Sequence, residues 1–179
     1  MIFEKINFSK IIVSHLRTLQ NANTKKAGLG DYVTFLVTPL VFALFLTWAK
    51  VPLKNDAINI IITTLSIFVG LMFNIIVLIF DIVKRDARQH VKNEVLKQLL
   101  ANISFEILIS VFSILSTLGT FFENSYLKIA FSFITYFSLA VFLLTLLMIL
   151  KRMYNVFKNE IDELEKSSKS EVDSKSSVF

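Results

Sequence analysis

The chain has 179 residues, a formal net charge of +5, no cysteine and 18 phenylalanines. Its mean hydropathy is +0.64, and 54% of its residues are hydrophobic, against about 45–50% in soluble domains. This composition excludes an ordinary water-soluble enzyme, and the missing cysteines exclude a disulfide framework, a thiolate metal site and a cysteine nucleophile.

Residues 1–30 come first. Their longest apolar run, Ile11 to Val13, falls short of the roughly 7–15 residues of a signal-peptide core, so the segment is expected to stay on the mature protein. Phe3, Ile6, Val13, Leu16 and Leu19 recur near helical spacing, with Lys5, Lys10, Arg17 and Gln20 elsewhere around the wheel. That pattern predicts a cytoplasmic, interfacial amphipathic helix on anionic headgroups, ended by Gly28 and Gly30. An ordinary solvated basic N-terminus is the plainer alternative.

Four apolar stretches follow at 32–49, 58–82, 99–122 and 126–150, each close to the roughly 20 helical residues that cross a hydrocarbon core. They predict an all-α integral membrane protein with a four-helix transmembrane domain over 31–150, in two hairpins. Orientation follows from Lys and Arg in the short flanks. Lys5, Lys10, Arg17, Lys25 and Lys26 precede the first span; Lys84, Arg85, Arg88, Lys92 and Lys97 fill the 83–98 connection; Lys151, Arg152 and Lys158 follow the last. The other two connections carry only Lys50 and Lys54, then Lys128. Both termini and the 83–98 segment are therefore expected in the cytoplasm, with the chain multi-pass in its membrane. The pI of about 9.4 then reflects these flanks, and no sequence-specific nucleic-acid binding is expected.

Polar residues within the spans form stripes. Thr63, Ser66, Gly70, Asn74 and Asp81 share one face of the second, and Asn102, Glu106, Ser110, Ser113, Thr117 and Thr120 one face of the third, by the 3.6-residue period. Such stripes read either as packing seams or as the wall of a hydrated path. Glu106 is the one acid well inside a span, about 7 residues or 10 Å from the cytoplasmic edge. Equal depth in the other spans falls at Thr38 or Pro39, Asn74 and Thr145. An intramembrane polar layer of Thr38, Asn74, Glu106 and Thr145 is expected. In it Glu106 either donates to Asn74 or a hydroxyl and fixes helix register, or holds a proton or cation.

Outside the membrane, Val91, Val95 and Leu96 in 83–98, and Met153, Phe157, Ile161 and Leu164 near a/d spacing in 151–166, predict cytoplasmic helical extensions that contact another subunit or a cytosolic protein. The Ser, Lys, Glu and Asp of 167–179 predict a disordered tail. Lys84, Arg85, Arg88, Lys92, Lys97, Lys151 and Arg152 form the expected basic cluster at the membrane surface. No motif predicts a catalytic residue, a cofactor or a metal. Arg85 and His90 match the Arg-x4-His spacing of HEPN ribonucleases, a remote alternative, because basic residues at a membrane surface need no catalytic explanation.

In size, span arrangement over 32–150 and lack of a catalytic centre, the chain resembles the small four-helix membrane proteins of bacterial phage-defence loci, such as the membrane subunit of the Kiwa system and the membrane accessory proteins of Cas13b loci. The resemblance implies an oligomer in the bacterial inner membrane that works with a cytosolic nucleic-acid-handling partner, as a membrane sensor or effector in antiviral defence. The two polar stripes exceed what one bundle needs to pack and predict a homo-oligomer, a tetramer as first expectation. The competing expectation is an ion-conducting pore, small transporter or phage holin with Glu106 in its path.

Overall fold

The computed structural model describes residues 8–19, 33–85 and 90–176. Every regular element among them is helical: α1 (Ser9–Thr18), a π-helical turn (Val33–Val37) running into α2 (Thr38–Trp48), α3 (Asn55–Arg85), α4 (His90–Gly119) and α5 (Ser125–Ser176). Phe3, Lys5, Ile6, Gln20, Lys25, Lys26, Gly28, Gly30 and Arg88 lie outside the described residues.

Among the described residues, three helical stretches are long and apolar enough to cross a bilayer: Asn55–Asp81, Val95–Gly119 and Ser125–Lys158. The fourth, Val33–Trp48, is apolar but shorter, spanning about 24 Å against a hydrocarbon core of about 30 Å. Its opening turn is widened because Pro39 has no N–H and its ring would press on the carbonyl one turn back. The Thr38 hydroxyl donates to the Val33 carbonyl at 3.4 Å across this turn. At the far end α2 closes in a Schellman arrangement. Val51 N–H donates to the Leu46 carbonyl and Lys50 N–H to that of Thr47, both at 3.1 Å, with Lys50 left-handed at φ 50°, where glycine is usual.

Helices α4 and α5 form an antiparallel hairpin across 120–124. The Asn124 side chain caps α5, accepting from the N–H groups of Tyr126 and Leu127 at 3.0 and 3.4 Å. At the tip, a side chain in place of Gly119 would collide with the Phe131 ring, so glycine permits the close approach. Helix α3 packs on α4, α2 on α5, and α1 on α4. The helices thus form a row, α3–α4–α5–α2, rather than a closed four-helix ring. The apolar core joins Met72 and Ile79 of α3 to Leu96, Leu99 and Ile103 of α4 and Ile149 and Val156 of α5, with Phe68 edge-on to Phe142. Helix α3 is the outer member: 11% of its apolar window is buried, against 39% in α4 and in α5.

The helices outrun the apolar stretches. Helix α4 begins at His90 within the charged connection and stops at Gly119, short of the predicted 122. Helix α5 runs 52 residues without a break through Ser176, over residues 167–176 whose composition predicts disorder; residues 177–179 of that expected tail lie outside the described residues. An existing helix extends without the cost of a new nucleus, so a polar sequence that could not start a helix can continue one.

Candidate functional site

The third-span stripe faces inward. Asn102, Glu106, Ser110, Ser113 and Thr117 of α4 and Thr120 just past its end are all buried, opposite buried Thr135, Ser138 and Thr145 on α5. Most of these hydroxyls donate within their own helix: Ser110 to the Glu106 carbonyl, Ser116 and Thr117 to that of Ser113, Thr120 to that of Thr117, and Ser138 to that of Thr135. Such back-bonding leaves the methyl and methylene groups at the interface and lets two backbones approach closely. One hydroxyl reaches across, Thr135 donating to Ser116 at 3.3 Å.

That bond also fixes the register. Ser116 lies opposite Thr135, and Gln98 opposite Arg152, whose Nη1 donates to the Gln98 carbonyl oxygen at 3.2 Å. Between these pairs an antiparallel register sets Ser113 level with Ser138, and Glu106 level with Thr145. Glu106 and Thr145 are both fully buried. Neither Glu106 carboxyl oxygen, nor the Thr145 and Ser113 hydroxyls, nor the Asn102 Nδ2 has a hydrogen-bond partner. Unsatisfied buried polar groups are uncommon, each costing about 1–3 kcal/mol. Here several share one helix interface, and Asn102 sits one turn from Glu106 on the same face. The arrangement can hold a proton on Glu106, a water, or a small cation among oxygens. Among the described residues no group of three His, Asp or Glu side chains could hold a metal ion.

The rest of the expected polar layer is not there. Asn74 and Thr38 are exposed, as are Thr63, Ser66, Gly70 and Asp81. Helical period puts residues on one face but does not say which way that face points, and the α3 stripe points away from the bundle. Asn74 therefore cannot serve as the partner of Glu106 within one chain.

The basic cluster is also redistributed. Lys84, Lys97 and Lys151 are exposed, with the Lys84 ammonium 4.4 Å from the Phe80 ring centre. Arg85 closes α3 and His90 opens α4, on either side of a connection outside the described residues; Lys92 lies in the first turn of α4. Arg152 is not a surface charge. It is half-buried, and its Nη2 donates to the Thr18 carbonyl at 2.5 Å.

This arginine belongs to a clasp that the sequence did not reveal. His15 of α1 is buried, stacked on Phe105 at 3.9 Å between ring centres and edge-on to Phe35. Its Nδ1 donates to the Asn102 Oδ1 at 3.0 Å. The Thr18 hydroxyl lies 2.7 Å from the His15 carbonyl and 2.6 Å from that Oδ1; with one proton it serves one acceptor at a time. Burial pushes the His15 imidazole down to about 4, and the nearby Arg152 cation acts in the same direction, so it is neutral at pH 7. A lone histidine on a short amphipathic segment carries no sequence signal of burial. Only its spacing three residues before Thr18, on the α1 face opposite Lys10 and Arg17, hinted at a polar contact. Asn102 thus links the clasp to Glu106, one turn deeper.

Comparison of the chain with family models, with curated proteins and with solved structures gives no match. Nothing in these comparisons ties it to the defence-locus proteins that its architecture resembles.

Proposed function

We propose that this is a four-span protein of the bacterial inner membrane with both termini in the cytoplasm, which assembles with copies of itself and acts as a membrane sensor or effector for a cytosolic protein. The observation that carries the reading is α5. One unbroken helix holds the buried polar seam at one end and, past Lys158, extends beyond the apolar stretch. A shift or rotation at either end is transmitted to the other, as rigid elements with two discrete arrangements transmit coupling. On the extension Phe157 and Ile161 are exposed, which suits contact with a second subunit or with a partner that also meets 83–98. The outward stripe of α3 supports self-assembly, because Asn74 facing hydrocarbon is costly and small residues with hydroxyls associate helices in lipid. A tetramer with closed cyclic symmetry is the expected form. Mass-resolved light scattering in mild detergent tests it: a homo-oligomer is expected, and Asn74→Leu with Ser66→Leu should shift it toward monomer. Monodisperse monomer of the unaltered chain defeats the reading.

A second reading, an ion or proton path, is favoured by the orphaned Glu106 carboxyl. Glu106→Gln should then preserve assembly and abolish flux in proteoliposomes. If Glu106 instead only fills the α4–α5 interface, Gln should be silent in both assays, and Glu106→Leu should leave the hairpin no weaker, because neither carboxyl oxygen has a hydrogen-bond partner to lose.

A further inference from the structure

On the flank of α1 away from Phe35, a cleft of about 280 Å³ opens between α1 and α4. Lys10 and Ser14 of α1 and Lys97 and Ser104 of α4 supply its polar lining, and Ile11 and Leu100 part of its apolar wall. Two lysines on different helices line one small space with no carboxylate in its lining, so the cleft favours an anion. Lys97 and Ser104 are two turns apart on α4, about 10 Å, so charge sits at the mouth and a hydroxyl deeper. The surroundings say what kind of anion. Phe8, Ile12, Val13 and Leu16 of α1 are each 40–49% exposed, an apolar surface that fits a helix lying within a membrane interface, at the depth of phospholipid phosphates.

We propose that this cleft binds the phosphate of an anionic phospholipid. Lys10 and Lys97 pair with the phosphate, the Ser14 and Ser104 hydroxyls donate to its oxygens, and Ile11 and Leu100 flank the first methylenes of an acyl chain. Basic pockets between helices at the cytoplasmic face recognise anionic headgroups in this way. A zwitterionic lipid is disfavoured because its ammonium would find no carboxylate in the lining. Bound lipid bridges α1 to α4 one helical turn from the His15 clasp, since Ile11 and Ser14 lie four residues before His15 and Thr18, and holds α1 down. The site rests on the membrane reading of the chain.

The test uses the full chain in mild detergent, with phosphatidylglycerol or phosphatidylcholine added and bound lipid counted by native mass spectrometry. Retention of phosphatidylglycerol about tenfold above phosphatidylcholine is expected. Lys10→Gln with Lys97→Gln should remove the preference at unchanged oligomer mass. Lys10→Arg with Lys97→Arg should keep it, as should Lys84→Gln with Lys151→Gln, which removes equal charge outside the cleft. Equal loss in the Lys10/Lys97 and Lys84/Lys151 glutamine pairs would reduce the effect to general electrostatics and overturn the site. Displacement of the lipid by millimolar inorganic phosphate would assign the cleft to free phosphate and overturn the lipid. An alkaline carbonate wash of membranes separates the two claims: release of the chain defeats the membrane reading, whereas retention without lipid preference defeats only the site.

Discussion

His15 and Glu106 are the two residues whose ionisation the fold constrains most visibly, and they differ in how far the sequence announced them. Glu106 stood out as the one acid deep in an apolar run, and it is buried. Its expected partner Asn74 points elsewhere, because same-depth arithmetic ignores rotation about the helix axis. His15 was invisible, since burial of an α1 histidine depends on how α1 docks and not on local pattern. Its consequence is a pH dependence with a definite sign. Docked, His15 stays neutral down to about 4, whereas a free imidazole takes a proton near 6.5. Between those values undocked α1 binds a proton that docked α1 does not, so docking is fully present above about pH 6.5 and weakens as pH falls toward 4. At about 1.4 kcal/mol per pH unit the loss approaches about 3 kcal/mol. The groups facing His15 are the Asn102 amide, the Phe35 and Phe105 rings and the Arg152 cation, and that cation makes protonation costlier still. Hydrogen exchange of the α1 amides should show protection at pH 7.5 that is largely gone at pH 4.5. A His15→Gln chain should lack that dependence, and an unchanged profile in the unaltered protein would refute the clasp.

At the scale of elements, the existence of the long helices was legible, because apolar runs of this length admit little else. Their ends were not. Termini are set by caps and breakers rather than by hydropathy, and two of these carry predictions. Asn124 caps α5 with two backbone N–H groups, so Asn124→Ala should cost about 1 kcal/mol, read as a lower midpoint in thermal unfolding of the detergent-solubilised chain. Lys50 holds the left-handed position after α2, and Lys50→Gly should raise the midpoint by relieving about 1 kcal/mol of strain; a drop would mean that the lysine side chain contributes more than its backbone costs. The Tyr136 hydroxyl donates to the Val51 carbonyl at 2.7 Å, so Tyr136→Phe should loosen the same turn without touching the polar seam. The helical run through Ser176 was illegible for a different reason: composition measures what a segment does alone, and this one is grown from a helix already formed.

For the whole molecule, the row of helices orders itself around the α4–α5 hairpin, with its polar seam inside and the polar stripe of α3 outside. Stripe periodicity revealed both, and only the packing separates the stripe buried between α4 and α5 from the one that α3 leaves exposed. Charge and aromatic residues agree on where a bilayer would lie. Trp48 and Tyr126 are highly exposed at one end of the row, and Tyr154 is exposed at the other. Along α5, Tyr126 and Tyr154 are about 42 Å apart, within the roughly 40–45 Å thickness of a bilayer with its interfacial regions included. Lys84, Lys97, Lys151 and the α1 clasp all gather at the Tyr154 end, the end that the proposed topology puts in the cytoplasm. Because the native chain has no cysteine, single cysteines at Asp56, Lys97 and Ser176 can be read in intact cells with a membrane-impermeant thiol reagent. Asp56→Cys should label from outside, while Lys97→Cys and Ser176→Cys should label only after the membrane is opened; labelling of positions 56 and 176 from the same side would contradict the arrangement.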